Sequence, residues 1–488
     1  MKITETLALE KITNNVRMDI LEEVYNAKSG HIGGAFSIAD ILTVLYFNEM
    51  NIDAKIPDSP DRDRLVLSKG HASAALYAVL AEKGYIDKEE LKTFRNIDSN
   101  LQGHPDMNKV PGVDMTTGSL GQGLSAANGM ALSSKLDSRG YRVYCILGDG
   151  ELQEGQVWEA AMTAEYQLDN LCVIVDANEL QLTDSTMNVK GINYNDIEQK
   201  FRAFGFQTVV IDGHNIESII RALTIAEMTK GKPTAIICKT IKGKGVSFME
   251  NQVDWHGKAP NDEEYEMAVK ELKQEAEKIQ ENYEPWSITK DKEKSMRKKI
   301  DFNNKIATRE SFGKALADIE DEDIVVLDAD LSSSTKTDMF KEKYPSRFFE
   351  LGISEADMIG TAAGMATCGK KPFVATFAAF ATGRVYDQIR CSIAYPNLNV
   401  KIIGTHAGIT VGEDGATHQM LEDINLMRAM PNMVVVSPSD DIQAKALIKQ
   451  LAEYEGPAYV RLSRMKTPVI YEGLTEDNFE IGKGIQIG

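Results

Sequence analysis

Two short runs hold residues whose types and spacing suit metal and phosphate chemistry. Gly148-Asp149-Gly150-Glu151 carries a carboxylate between glycines, and Asn178-Glu179-Leu180 carries an amide. Residues 151–177, 27 in all, separate Gly150 from Asn178. The Asp149 carboxylate, the Asn178 amide oxygen and the Leu180 backbone carbonyl are hard oxygen donors of the kind Mg²⁺ or Ca²⁺ prefers. Mg²⁺ keeps few protein ligands and fills its shell with water and phosphate oxygens, so a diphosphate would complete such a site. Gly150 lets the backbone approach that group closely. A lone Gly-Asp-Gly is usually a plain turn and does not by itself establish such a site.

The flanking pattern supplies the elements that must position these donors. Tyr141 to Leu147 reads as a buried strand, Val157 to Tyr166 as a helix, and Leu171 to Val175 as a second strand. This is a parallel βαβ unit with polar residues at the carboxyl ends of both strands, where open α/β sheets bind ligands. Upstream, residues 5–28 read as an amphipathic helix, followed by the glycine-rich turn Ser29-Gly30-His31-Ile32-Gly33-Gly34 and a helix from about Ser37. Leu65 to Ala72 repeats the theme with His71, Gly103-His104-Pro105 adds a third loop histidine, and Thr116 to Gly123 opens a small-residue helix. Of the seven histidines, these three sit in Gly-flanked loops without zinc spacing, which suits donors to a polyhydroxylated, phosphorylated substrate.

Further strands are expected at 207–211 and 234–238, with helices around 194–204 and 215–229. In the loop 239–247, Lys242 and Lys244 read most simply as solvent-exposed charge, and Trp255-His256-Gly257 follows. Residues 261–300, dense in Glu and Lys, read as a solvated helix and interdomain linker. A second α/β block begins near Ala307, with strand-like runs at 323–328, 372–377, 399–404, 433–437 and 458–462.

The 488-residue chain has a net charge of −19, which argues against nucleic acid or an anionic membrane as the main partner. Its five cysteines are scattered and odd in number, as in reduced core residues of a cytoplasmic enzyme. No signal peptide or membrane-spanning run is evident.

Taken together, these motifs resemble the transketolases, a thiamine diphosphate-dependent family, over about residues 10–465. The resemblance implies two α/β domains, each a mainly parallel sheet flanked by helices: a pyrophosphate-binding domain (1–270) and a pyrimidine-binding domain (305–475), joined by a linker (271–304). It implies a homodimer with active sites at the subunit interface. It also implies transfer of a two-carbon ketol group between sugar phosphates by way of a thiamine diphosphate carbanion.

Carried over residue by residue, Asp149, Asn178 and the Leu180 carbonyl match the metal ligands. His71, Gly118, Leu120, Gly150, Asn178, His256 and Asp330 match positions around the cofactor, and Glu355 matches the carboxylate on its aminopyrimidine ring. Phe377 and Phe380 match the apolar wall, and Glu154 and Glu159 match interface carboxylates that link paired sites. His31, His71, His104, His256 and His418 match proton-handling residues. His31, His104, His256, His406, Asp414 and His418 match contacts to the sugar, and Arg309, Ser334, His406 and Arg464 match its phosphate grip, with Arg461 a near competitor for the last place.

The sequence departs from the family at Gly383-Arg384, where some members carry a third aromatic. It also stops at Gly488, as Phe479 to Gly484 would lead into the family's third domain. A deoxyxylulose-phosphate synthase, a ketol transferase for a modified sugar, and a non-catalytic cofactor-binding paralogue stay open. The runs 148–155 and 412–418 favour transketolase, and intact Glu355, Asp149 and Asn178 weigh against the paralogue.

Overall fold

The structure is a computed structural model that describes residues 3, 6–278, 305–412, 414–469, 471 and 478–483. Most of the expected linker, residues 476–477 and 484–488 of the expected third-domain start, and Glu413 lie outside the described residues. The chain divides into two compact units, Met1–Asp291 and Lys292–Gly488.

In the first unit, β1 (Arg64–Leu67), β2 (Val143–Gly148), β3 (Leu171–Ala177), β4 (Gln207–Asp212) and β5 (Thr234–Lys239) form one sheet in the order β1-β2-β3-β5-β4. Every pairing is parallel. All seven residues of β3 are buried, because helices cover both faces; such strands read as continuous apolar runs. Parallel pairing needs long crossovers, and the helices Gly123–Leu136, Gly155–Met162, Tyr194–Ala203 and Ile216–Met228 lie in them. The helix Tyr194–Ala203 starts at an Asn193–Asp196 capping box, and Asn215 caps the next, accepting from Ser218 N at 2.8 Å. All strands run the same way, so the loops after β1, β2, β3 and β5 emerge along one edge.

Two expectations change here. The glycine run after Gly30 is already helical over Ile32–Phe36, since Gly33 serves close packing: a Cβ there would lie 2.7 Å from the Trp255 carbonyl oxygen. The charged stretch does form a helix, Asp262–Lys278, but Ala268 and Leu272 are buried in the first unit's core and Tyr265 stacks on Tyr25 at 3.9 Å. Charge density hid that thin apolar stripe.

In the second unit, β6 (Lys305–Ala307) pairs antiparallel with β13 (Lys466–Pro468). Strands β7 (Ile324–Asp328), β8 (Phe348–Glu350), β9 (Lys371–Phe377), β10 (Lys401–Thr405), β11 (Val434–Val436) and β12 (Ala458–Arg461) form a parallel sheet in the order β11-β12-β10-β9-β7-β8. The three-residue strands β6, β8 and β13 show no periodicity in the sequence, whereas β11, equally short, falls inside the longer apolar run 433–437 and is legible there with β7, β9, β10 and β12.

Candidate active site

At the carboxyl edge of the first sheet, β2 delivers Asp149, whose Oδ1 accepts from Gly150 N (2.8 Å) and whose Oδ2 accepts from Glu179 N (2.5 Å). After β3, Asn178 Oδ1 accepts from Leu180 N at 3.1 Å. The fold thus brings Asp149 against the turn bearing Asn178 and Leu180. Asp149 is only 3% exposed, and burial, then the charge of Asp176, push its carboxyl up to about 7. This buried anion lacks sufficient positive charge, and with amide and carbonyl oxygens beside it the donor set fits a hard divalent cation. Among the described residues no cluster of three His, Cys, Asp or Glu offers a metal site of another kind.

Lys242 is not solvent-exposed loop charge: it is 1% exposed. Its Nζ donates to the carbonyls of Leu180 (3.4 Å) and Gln181 (3.2 Å) and lies 2.8 Å from His256 Nδ1. Burial, then the charge of Lys69, push it down to about 8. Its loop is drawn under the sheet edge because Thr240 Oγ1 donates to Asp176 and Gly243 N donates to Gly33 O at 3.0 Å. Lys244, half-buried, pairs with Glu250 at 3.2 Å.

Lys69, Asp176 and Glu151 complete this edge of the sheet, and no motif in the sequence marks them for a role. Lys69 Nζ meets the fully buried Asp176 carboxylate at 2.5 Å, and Ser37 Oγ (2.7 Å) and Asn178 Nδ2 (3.0 Å) also donate to it. Glu151 accepts from Ser68 Oγ (2.5 Å), Gly121 N (2.8 Å) and Gly148 N (3.0 Å), tying three loops together. An acidic residue closing a wholly apolar strand, as Asp176 does, was the available signal.

Three of the expected histidines cluster: ring centroids of His31, His71 and His256 lie 5.2–5.5 Å apart. His104 stands beside Gly118, where a Cβ would be 3.3 Å from its ring. Burial, then Arg95, push His31 down to about 4; burial, then Lys242, push His256 down to about 3; His71 is also well below its usual range. All three rings are therefore neutral near pH 7. Arg95, unremarked in the sequence, lies 3.1 Å from His31 Nδ1. Leu120 and Glu154 are exposed and Glu159 is half-buried, so these three line the unit's surface.

In the second unit, Arg309 Nη1 donates to the Ser334 carbonyl at 2.6 Å and lies 3.5 Å from His406 Nε2, while its buried Nε has no partner. Such an orphaned guanidinium N–H fits an anion. Arg464 donates to the Val411 carbonyl and faces Asp414 at 3.7 Å, whereas Arg461 Nε is committed to buried Asp423 at 2.8 Å. This separates the two candidates. His406 packs on Phe377 at 4.0 Å between centroids, and burial, then Arg309, push it down to about 4.

Phe380 lies nearly parallel to Phe377 at 6.1 Å, with His418 5.2 Å away. Glu355 is 3% exposed and accepts from Arg384 Nη1 through both oxygens at 2.8 Å. Arg384 also lies over the Phe380 ring at 4.3 Å, and a Cβ on neighbouring Gly383 would touch Met420 Cε at 4.0 Å. Asp330 is exposed at φ +60°, its N donating to Glu350 at 2.7 Å.

Comparison with known proteins identifies the family. The transketolase thiamine diphosphate binding domain profile matches residues 9–323, and the transketolase pyrimidine binding domain profile matches residues 304–469. The chain is 39% identical to the human transketolase over 98% of its length and 77% of the relative's. It is also 39% identical to a mouse transketolase-like protein 2, over 97% of this chain and 77% of that protein. Among solved structures, the Campylobacter jejuni transketolase superposes with a TM-score of 0.83 at 29% identity, covering 96% of this chain and 80% of that one. The Pichia stipitis transketolase in complex with sedoheptulose 7-phosphate gives 0.82 at 26%, covering 96% and 78%. Two parallel α/β units, a carboxylate–amide–carbonyl turn and matches spanning both units together place the chain in the transketolase family.

Proposed function

We propose that this chain reversibly transfers a two-carbon ketol group from a ketose phosphate such as xylulose 5-phosphate to an aldose phosphate such as ribose 5-phosphate, using thiamine diphosphate and Mg²⁺ or Ca²⁺. The observation that carries the reading is the Asn178–Leu180 turn, whose oxygens stand beside buried Asp149 and Lys242. Thiamine diphosphate, when bound, supplies a carbon nucleophile that also accepts the electron pair left by C–C cleavage.

Asp149, Asn178 and the Leu180 carbonyl would hold the cation. His71, Gly118, Leu120, Gly150, His256 and Lys242 would surround the diphosphate, and Asp330, Phe377 and Phe380 the organic rings. Glu355 would hold a proton toward the aminopyrimidine. The neutral rings of His31, His71 and His256, with His104 and His418, would take protons from sugar hydroxyls or return them. Arg309, Ser334, His406 and Arg464 would grip the sugar phosphate and Asp414 a hydroxyl. Glu154 and Glu159 would face a second copy of the chain in a homodimer.

The test combines purified protein, thiamine diphosphate, Mg²⁺, xylulose 5-phosphate and ribose 5-phosphate, with products read by mass spectrometry. Sedoheptulose 7-phosphate is expected, and Glu355→Ala should slow its formation by at least about a hundredfold, the usual scale for a lost acid–base group. Product formed only with pyruvate as donor would favour the deoxyxylulose-phosphate synthase reading. Cofactor binding with no turnover of any donor would favour the non-catalytic one.

A further inference from the structure

We propose that His214, the one histidine of seven left without a role above, is a positioning residue that clamps the Lys242 loop and thereby sets the affinity of the cofactor site. The inference rests on the thiamine diphosphate reading of that site. His214 follows β4, beside the end of β5. Its Nε2 accepts from the backbone N of Ile241 at 2.8 Å. A ring nitrogen that accepts carries no proton, so the proton sits on Nδ1, 2.7 Å from Asp40 Oδ2.

Asp40 is itself held. It lies on the buried helix Ala39–Val44, and Arg17 of the helix Thr6–Ala27 donates to the same oxygen. Although burial works to raise it, Arg17 and His214 keep the Asp40 carboxyl below its ordinary range. The loop is crowded against His214 from the other side as well: Gly213 N donates to Lys239 O at 2.8 Å, and a Cβ on Gly213 would lie 2.5 Å from Thr240 Cγ2. A continuous relay therefore runs from Arg17 through Asp40 and His214 to Ile241.

Ile241 immediately precedes Lys242, whose ammonium must reach the Leu180 and Gln181 carbonyls and His256 from one side. The main chain of Ile241 fixes where the Lys242 side chain starts. Outer hydrogen bonds of this kind typically change site affinity about 10- to 100-fold when removed.

The experiment titrates thiamine diphosphate, in excess Mg²⁺, into cofactor-free wild-type, His214→Asn and His214→Gln proteins by calorimetry. Gln extends far enough to offer Ile241 an acceptor where Nε2 stands; Asn does not. The Asn variant should bind about 10- to 100-fold more weakly, and the Gln variant should recover most of that loss. At saturating cofactor, kcat and the sugar KM of both should match wild type, and their cofactor-free Tm values should match each other. Equal weakening by Asn and Gln, or none by either, overturns the inference while leaving the cofactor reading intact. A wild-type protein that binds no thiamine diphosphate overturns both. Without any variant, histidine ring ¹⁵N shifts should show His214 as the Nδ1–H tautomer; the Nε2–H tautomer also overturns it.

Discussion

Arg461 and Arg464 stand three positions apart and meet different surroundings. Arg461 and the hydroxyl of Tyr459 both bind Asp423, which is fully buried, each at 2.8 Å. Arg461→Ala would leave a buried carboxylate without its counter-ion, and denaturant unfolding should show a loss of about 3 kcal/mol. Arg464 is half-buried among Asp414, Val411 and the Arg309 side. Arg464→Ala should leave unfolding within about 0.5 kcal/mol of wild type yet raise the KM for a phosphorylated aldose about tenfold, the scale of one charged hydrogen bond. The reverse pattern in steady-state kinetics and unfolding would exchange the two assignments.

At the scale of elements, the loops at the first sheet's edge are held by packing as well as by hydrogen bonds. Gly123 opens the helix Gly123–Leu136 against Ser68: a Cβ there would lie 2.5 Å from both Ser68 Cβ and Oγ. Ser68 is the residue whose hydroxyl reaches Glu151. Gly123→Ala should therefore lower stability by about 1–3 kcal/mol, with a matching drop in Tm. The neutral histidines give these elements a pH signature. His31 and His406 titrate near 4 in the folded chain, against about 6.5 unfolded. Above about pH 6.5 neither state is protonated and the stability is complete. As pH falls toward 4, the unfolded chain takes up protons that the fold refuses, so stability declines. Thermal scans should show wild type losing more Tm between pH 7 and pH 5 than His31→Gln or His406→Gln.

For the whole molecule, the proposed dimer makes a sharper prediction than its size. If each site takes its first unit from one copy and its second from the other, Asp149→Ala and Glu355→Ala chains are inactive alone. Mixed under conditions that exchange subunits, they regain activity: each mixed dimer carries one site with both changes and one with neither. Random exchange should restore about a quarter of wild-type turnover, since half the dimers are mixed and half their sites intact. No recovery, with exchange verified by mass spectrometry, would mean both units of one chain serve one site. Among the described residues, no helix is long and apolar enough to cross a membrane.

By itself the sequence determined the two α/β blocks, most strands longer than three residues, and the oxygen-bearing residues Asp149, Asn178 and Leu180 at neighbouring strand ends, because those signals are local: continuous apolar runs and turn glycines along one βαβ unit. It left Lys242, Lys69, Arg95, Arg384 and His214 unassigned or read as surface. A basic side chain looks the same in sequence whether it faces solvent or lies beneath a loop. Only the tertiary structure decided, by carrying Thr240 to Asp176 and Gly243 to Gly33 across long chain separations, that Lys242 is buried among carbonyls. The same holds for Arg384, whose partner Glu355 lies 29 residues earlier. Burial and long-range pairing depend on how strands are ordered in the sheet, which no local pattern encodes.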